Sequence, residues 1–239
     1  PSPSEMAEIL HETSAIYDVE ILSNPKAEGL YYTDVTRALN LGVYFADLSF
    51  TTMFDYPQQA MLFMSAAQGL SEELDIIGVF NEELMGRIEN NLSNKDSIMD
   101  IASYTYMEAD FYLQENDRSV IAKAILAGAW IEGLYIATHL KTEDDDPSLI
   151  WKKIGEQKRA LSNLINMVED CNEPQLKEFI VKLRKLEVAF ESVKVIRETN
   201  SDSIRINTPI KNNIIVSDMT AASIDVEAST CRDYMVIGK

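Results

Sequence analysis

Glu132, Tyr135 and His139 fall on one side of the segment Ser119–Leu140, SVIAKAILAGAWIEGLYIATHL, when it is wound as a helix. A carboxylate, a phenol and an imidazole on one face can bind a polar ligand or move a proton. Glu132 and His139 lie two turns apart, about 10 Å along the axis, so they can line one cleft without touching. A carboxylate on so apolar a segment is either paired with a base or exposed in a pocket. Arg37, Arg87 and Arg118 are the candidate bases. Asp47 in YFADLSF and Asp110 in MEADFYL pose the same question on neighbouring segments. If these acids converge with Tyr44, Tyr104 or Trp130, a polar pocket forms inside a helical bundle. The candidate ligand-binding residues are therefore Glu132, Tyr135, His139, Trp130, Asp47 and Asp110.

Other chemistry finds little support. Glu8-x-x-His11 has the spacing of carboxylate-bridged di-iron bundles, but a second such motif is missing because Ile136 stands three residues before His139. The acidic run Glu143-Asp144-Asp145-Asp146 lacks the alternating ligands and central Gly of a calcium loop. Asp146 as N-cap, with Pro147 at the first helical position, explains those residues without a metal. The sequence has no Gly-rich phosphate loop, Walker pattern, GxSxG elbow or HExxH. Cys171 and Cys231 form no CxxC pair; they pair only if the tail folds back near residue 171, and are otherwise free. No catalytic residue, metal site or cofactor is expected.

The elements that must position these residues follow from periodicity. Ser119–Leu140 carries two obligate charges, Lys123 and Glu132, on opposite sides of the helix. A helix apolar nearly all round needs wrapping by protein or lipid. Two charges within it favour protein, so no transmembrane helix is expected. Ala129, Gly133 and Ala137 form a small-residue stripe that would admit a neighbouring backbone. A first helix is expected from Pro3 to about Leu22 on Met6, Ile9, Leu10, Ile16 and Val19. A second starts at Thr33 or Asp34 and runs to Phe54, with Leu39, Val43, Ala46 and Phe50 inward. A third follows Tyr56-Pro57, a fourth spans Glu82–Leu92 and a fifth runs from about Lys95 to Glu115.

The sharpest repeat is Ile150, Ile154, Gln157, Leu161, Leu164, Val168 and Cys171, restarting after Asn172-Glu173-Pro174 as Leu176, Phe179, Leu183, Leu186, Phe190 and Val193. Two heptad seams joined by a short turn predict an antiparallel coiled-coil hairpin over 148–198. After Ser201-Asp202-Ser203 the expectation is a small β-hairpin of Ile204–Ile206 with Ile214–Val216, then a last helix from Ser217-Asp218 to about Tyr234. The fold class is all-α: a multi-helix bundle or α-α array of about eight helices. Residues 1–200 form the helical domain and 201–239 a tail.

The 239 residues are 46% hydrophobic, enough for a sizeable core, and nine Gly and seven Pro are few, as long helices require. Formal charge is −18. Residues 1–150 hold 26 acids and 7 bases, whereas 151–200 hold 8 acids and 10 bases. So acidic a body repels phosphate backbones and anionic membrane surfaces, which argues against nucleic-acid binding.

Ala60-x3-Met64-x2-Ala67, with Leu41-Gly42-x2-Phe45 before it, is similar to a tetratricopeptide helix pair, though no repeat period continues. A broader likeness lies in ALNLGVYFADLSF (38–50), NDRS (116–119) and LAGAWIEGLYIAT (126–138). Together these resemble an uncharacterised family of all-helical bacterial envelope lipoproteins, over about residues 3–200. The resemblance implies a lipidated Cys ahead of Pro1 and a place in the cell envelope, on the periplasmic face or the surface. It brings no activity, ligand or site residue. The function expected is non-enzymatic, by protein binding or scaffolding. The alternative is a small-molecule binder or sensor with a polar pocket beside the central helix.

Overall fold

A computed structural model describes residues 13–76, 82–91, 94, 97, 100–101, 104, 111–112, 118–143, 147–197 and 212–237. The chain is all-α. Its described helices are α1 (Asp34–Met53), α2 (Pro57–Glu73), α3 (Glu82–Glu89), α4 (Ser119–His139), α5 (Ser148–Glu156), α6 (Lys158–Glu169), α7 (Lys177–Glu191) and α8 (Asp218–Ile237). Two antiparallel ribbons accompany them: β1 (Ala15–Ile16) with β2 (Lys141–Thr142), and β3 (Lys194–Arg197) with β4 (Asn212–Ile215).

Local chemistry explains the ends of α1 and α2. Thr33 accepts from the Thr36 backbone N–H while Thr36 Oγ1 accepts from the Thr33 N–H, a capping box that opens α1. Pro57 occupies the first turn of α2, where its missing N–H costs nothing. Both helices stop at an aspartate in left-handed conformation, Asp55 (φ 63°) and Asp75 (φ 54°). The next residue then reaches back, Tyr56 N–H to Thr51 O at 2.9 Å and Ile76 N–H to Ser71 O at 3.0 Å.

α4 lies at the centre, as its sequence requires. Ile121, Ala124, Ile125, Ala127, Trp130, Ile131, Leu134, Ile136 and Ala137 are all buried. α1, α8, α5 and α6 pack around it. By length and composition alone α4 could cross a membrane, yet 72% of its most apolar window is covered by the rest of the chain. α1 and α4 come into backbone contact at Gly42 and Gly128, and Ala129 of the expected small-residue stripe takes part in that contact. A Cβ on Gly42 would collide with the Ile125 carbonyl and lie 2.6 Å from Ala129 N; one on Gly128 would collide with the Leu39 carbonyl.

The hairpin seams are in place. Ile150, Ile154, Leu161, Leu164, Val168, Leu176, Phe179, Leu183, Leu186, Phe190 and Val193 are buried, and Cys171 is half-buried. The first arm is broken in two at Gln157. The carboxamide there is buried, and its Oε1 has no partner among the described residues. α7 packs against both α6 and α8, so the seam is not closed by the hairpin alone.

Several expectations are corrected. Residues 13–22 form no α-helix: Ser14 turns with φ 47°, β1 pairs with β2, and Asp18 caps a short 3-10 helix at Val19–Ile21. Asp18 offers its carboxylate to the Glu20 N–H, competing with helix, and Ile16 and Val19 point outward. Tyr17 instead pins this segment to the end of α1, stacked 3.8 Å from Tyr56 and 5.8 Å from Phe50. The partner of β4 is Lys194–Arg197, expected at the end of α7, with Val195 opposite Ile214; Ile204–Ile206 lies outside the described residues. α5 starts at Ser148 with Pro147 as its N-cap, one residue later than expected, and Asp146 lies outside the described residues. So do Glu8, His11 and most of the fifth helix. α8 is longer than expected, and its inward stripe is Ile224, Ala228, Cys231 and Met235. It packs on α7, α4 and α1.

Candidate functional site

The central helix carries one acidic side chain, Glu132, and it is fully buried. Its base is not Arg37, Arg87 or Arg118. Arg37 pairs with Glu73 at 2.5 Å, Arg118 donates to the Leu74 carbonyl at 2.6 Å, and Arg87 lies over the Tyr104 ring. Arg232 on α8 reaches Glu132 instead, with Nε 3.1 Å from Oε2 and 3.3 Å from Oε1. Its Nη2 also donates to the Ile21 carbonyl at 3.4 Å, and its guanidinium carbon sits 4.3 Å from the Tyr135 ring centroid.

Two turns along, His139 Nδ1 lies 2.9 Å from the Tyr135 carbonyl and 3.5 Å from Asp225 Oδ1 on α8. The Tyr135 and His139 rings lie tilted against each other, 4.1 Å between centroids. The three candidates on the central helix thus form one face, as their spacing predicts, and α8 covers that face.

Asp47 joins from α1, also fully buried. Both the backbone N–H (3.2 Å) and the hydroxyl of Ser23 donate to Asp47 Oδ2. Its carboxyl neighbours the Glu132 carboxylate closely enough for each to act on the other's ionisation. Asp47 Oδ1, however, meets no donor among the described residues. Two ionised carboxylates offer each other only acceptors; a bond forms between them when one is protonated. Electrostatics agrees. Burial, and then the charge of Glu132, lift Asp47 well above the ordinary carboxylate range against the pull of Ser23 and Arg232. Burial also raises Glu132, opposed by Arg232. Burial works against the Arg232 charge, but Glu132 more than offsets it and holds the guanidinium above its usual value. One guanidinium thus faces two carboxyls in one buried site, and burial favours the neutral form of the second acid, a property of the pair rather than of either residue.

Tyr31 and Tyr44 flank the cluster. Tyr44 donates to the Asn24 carbonyl at 3.1 Å, and burial raises the buried Tyr31 phenol. Trp130 is buried, but two residues from Glu132 it leaves α4 on another side. Its Nε1 has no hydrogen-bond partner among the described residues. Tyr104 is exposed, and Asp110 lies outside the described residues. Ser23, Tyr31, Asp225 and Arg232 are the cluster members that sequence reasoning missed. One signal was available for two of them: Asp225 and Arg232 are seven apart, as are Glu132 and His139. Both acids have zero exposure, and the cluster ties α1, α4, α8 and the Ser23 segment together.

A second feature lies at the surface. α7 and α8 border a groove of about 580 Å³ whose apolar lining is Val188, Ala189, Met219, Ala222 and Val226, interspersed with Ser192, Thr220 and Ser223, with Lys185 on one wall and Glu227 on the other. Val188, Met219 and Val226 are 62%, 84% and 60% exposed. Among the described residues no group of three or more His, Cys, Asp or Glu side chains is arranged to hold a metal ion. Comparison with protein-family models, curated proteins and solved structures found no match.

Proposed function

We propose that this chain is a non-enzymatic cell-envelope protein that works by binding another protein, and that the groove between α7 and α8 receives an amphipathic helix of that partner. The observation that carries the reading is the amphipathic groove itself, with its exposed apolar side chains. Two helix walls present Val188 on one side and Met219 and Val226 on the other, open to solvent along their length. A trough between two helices suits a third helix laid into it by its apolar face. The α7 wall belongs to the stretch 151–200, where bases outnumber acids in a chain of net −18. Lys185 therefore favours an acidic flank on the incoming helix. Placement in the envelope rests on the resemblance of residues 38–50, 116–119 and 126–138 to the lipoprotein family.

The groove is preferred to a ligand site at Glu132 because Glu132 is enclosed and already neutralised by Arg232. The test places a photo-crosslinking residue at Val188 or at Met219 in cells. Both walls should capture the same protein in the envelope fraction, and Val226→Glu should abolish capture while leaving the helical spectrum unchanged. Capture from neither wall, or capture indifferent to Val226→Glu, sinks the reading. So does a small molecule that thermally stabilises the wild type but not Glu132→Gln.

A further inference from the structure

Three helices meet at Asp47, Glu132 and Arg232, and only one member of the trio touches water: the Arg232 side chain is 13% exposed, whereas Glu132 is fully enclosed. Arg232 is thus the outer side of the cluster, and it is carried by the last described helix, α8. The remaining polar ties of α8 are few. Asn40 donates to the Met235 carbonyl at 2.8 Å, Tyr234 to the Gln175 carbonyl at 3.5 Å, and His139 faces Asp225. The apolar stripe of α8 buries Ile224 and Met235, but its two middle members, Ala228 and Cys231, are small side chains that bury little area, and Tyr234 stacks on Phe179. An element held this way can open without the rest of the fold opening.

Opening changes the proton count. With α8 in place, Arg232 serves Glu132 while the buried Asp47 Oδ1 meets no donor among the described residues, so a proton on the pair supplies the missing one. With α8 lifted, Arg232 leaves and water reaches Glu132 and then Asp47, so both acids ionise near their ordinary values. We propose that docking of α8 onto the α1–α4 pair takes up one proton, held between Asp47 and Glu132, which makes α8 a latch that closes in acid and loosens as the pH rises. The other polar or charged groups near the pair are Ser23, Tyr17 and Tyr31 from the N-terminal segment and Tyr135 and His139 from α4; one layer out lie Tyr44 of α1, beside Tyr31, and Asp225 and Asp233 of α8, which act on Tyr135. The tyrosines Tyr17, Tyr31 and Tyr135 are pushed upward, chiefly by burial, and stay neutral across the range concerned. A partner helix seated between α7 and α8 would hold α8 closed, so the latch is measured on the isolated chain, where its failure is read separately from failed capture of a partner.

Cys231 reports the opening, because it is fully buried on α8 beside Arg232. In a Cys171→Ser background, the rate of Cys231 labelling by a small thiol reagent is compared with that of the same chain carrying Asp47→Asn. Asparagine keeps an acceptor for Ser23 and supplies a permanent donor to Glu132, so it imitates the protonated acid. Thiol chemistry cancels in the ratio of the two rates at each pH. The ratio of wild type to Asp47→Asn should climb by about tenfold per pH unit, the slope for one proton, between the open-state and closed-state values of the pair. A ratio independent of pH between 5 and 9 (an experimental range) overturns the proposal. A second readout needs no variant. The folded wild type at neutral pH should show the infrared carbonyl band of a protonated carboxyl that disappears in urea. Absence of that band in the folded protein equally overturns the latch.

Discussion

Glu132 and Arg232 stand 100 residues apart in the chain and 3.1 Å apart in space. The same antiparallel register sets His139 opposite Asp225, since each helix spaces its two groups seven residues apart. α4 and α8 therefore meet through two matched rungs two turns apart, with the Tyr135 ring between them. The rungs differ in kind. Glu132–Arg232 is enclosed, whereas His139 and Asp225 are partly exposed.

Breaking the enclosed rung from one side should be costly. Glu132→Gln leaves a guanidinium buried without a counter-charge, and the loss should be about 3 kcal/mol in urea denaturation. Arg232→Met should cost less, because the orphaned Glu132 can take up a proton. The double variant Glu132→Gln with Arg232→Met should recover part of the single Gln penalty. A double variant as unstable as the sum of its parts would falsify the coupling.

The contact of α1 with α4 predicts a contrast among glycines. Gly42→Ala and Gly128→Ala each drive a methyl group into a facing backbone, at Ile125 and Leu39 respectively, and backbone cannot swing aside. Each should cost about 3 kcal/mol or more and lower the melting temperature sharply. Gly86 lies within α3 with nothing within 4 Å of an added Cβ. Gly86→Ala should stabilise by about 0.5–1 kcal/mol through helix propensity. Equal effects at all three positions would mean that the helices are not in backbone contact.

Much of this architecture was legible because helical periodicity is local. The seams from Ile150 to Val193, the apolar girth of the Trp130 segment and the caps at Thr33 and Pro57 each show within a few turns of chain. Strand register is not local: β4 meets Lys194–Arg197 because the chain returns across α5, where Gly155 leaves room for Ile214 and Val216. The N-terminal segment misled because Ile16 and Val19 sit at helical spacing beside Asp18, whose side chain prefers the turn. Asp47 and Glu132 stood out as acids in apolar surroundings, but nothing along the chain indicates that they touch. The inward stripe of α8 has a clean four-three-four spacing, yet two of its members are Ala228 and Cys231, which look neutral in a hydropathy reading. Arg232 was missed for the same reason, being the neighbour of an unrecognised core position.

That stripe gives its own test. Cys231 is fully buried, and burial, with Glu227 adding to it, pushes its thiol up to about 12. It behaves as a small apolar side chain rather than a reactive one. Cys231→Ser is the closer match in size, but it buries a hydroxyl, so it should cost more than Cys231→Ala. The expected losses are about 2 and about 1 kcal/mol by urea denaturation. The reverse order would show that the sulfur sits against polar groups instead.

The dependence of stability on pH should have two limbs of opposite sign. Asp47 and Glu132 are raised in the folded chain, so their contribution is full below the ordinary carboxylate range and is lost as pH rises through their folded values. Asp18 and Glu187 are lowered, by hydrogen bonds from Lys141 and Arg184, so their contribution is full above that range and is lost as pH falls through their folded values. Both of these acids lie near the surface, and solvent screening keeps the acid limb below about 1 kcal/mol. The alkaline limb is the larger, since its acids are enclosed. Self-repulsion of a chain at net −18 slopes the same way, so the decisive quantity is a difference between variants. Urea midpoints from acid to mildly alkaline pH should show Asp47→Asn flattening the alkaline decline and sparing the acid limb. Asp18→Asn should do the opposite. If Asp47→Asn declines in parallel with the wild type, the buried acids are not sharing a proton.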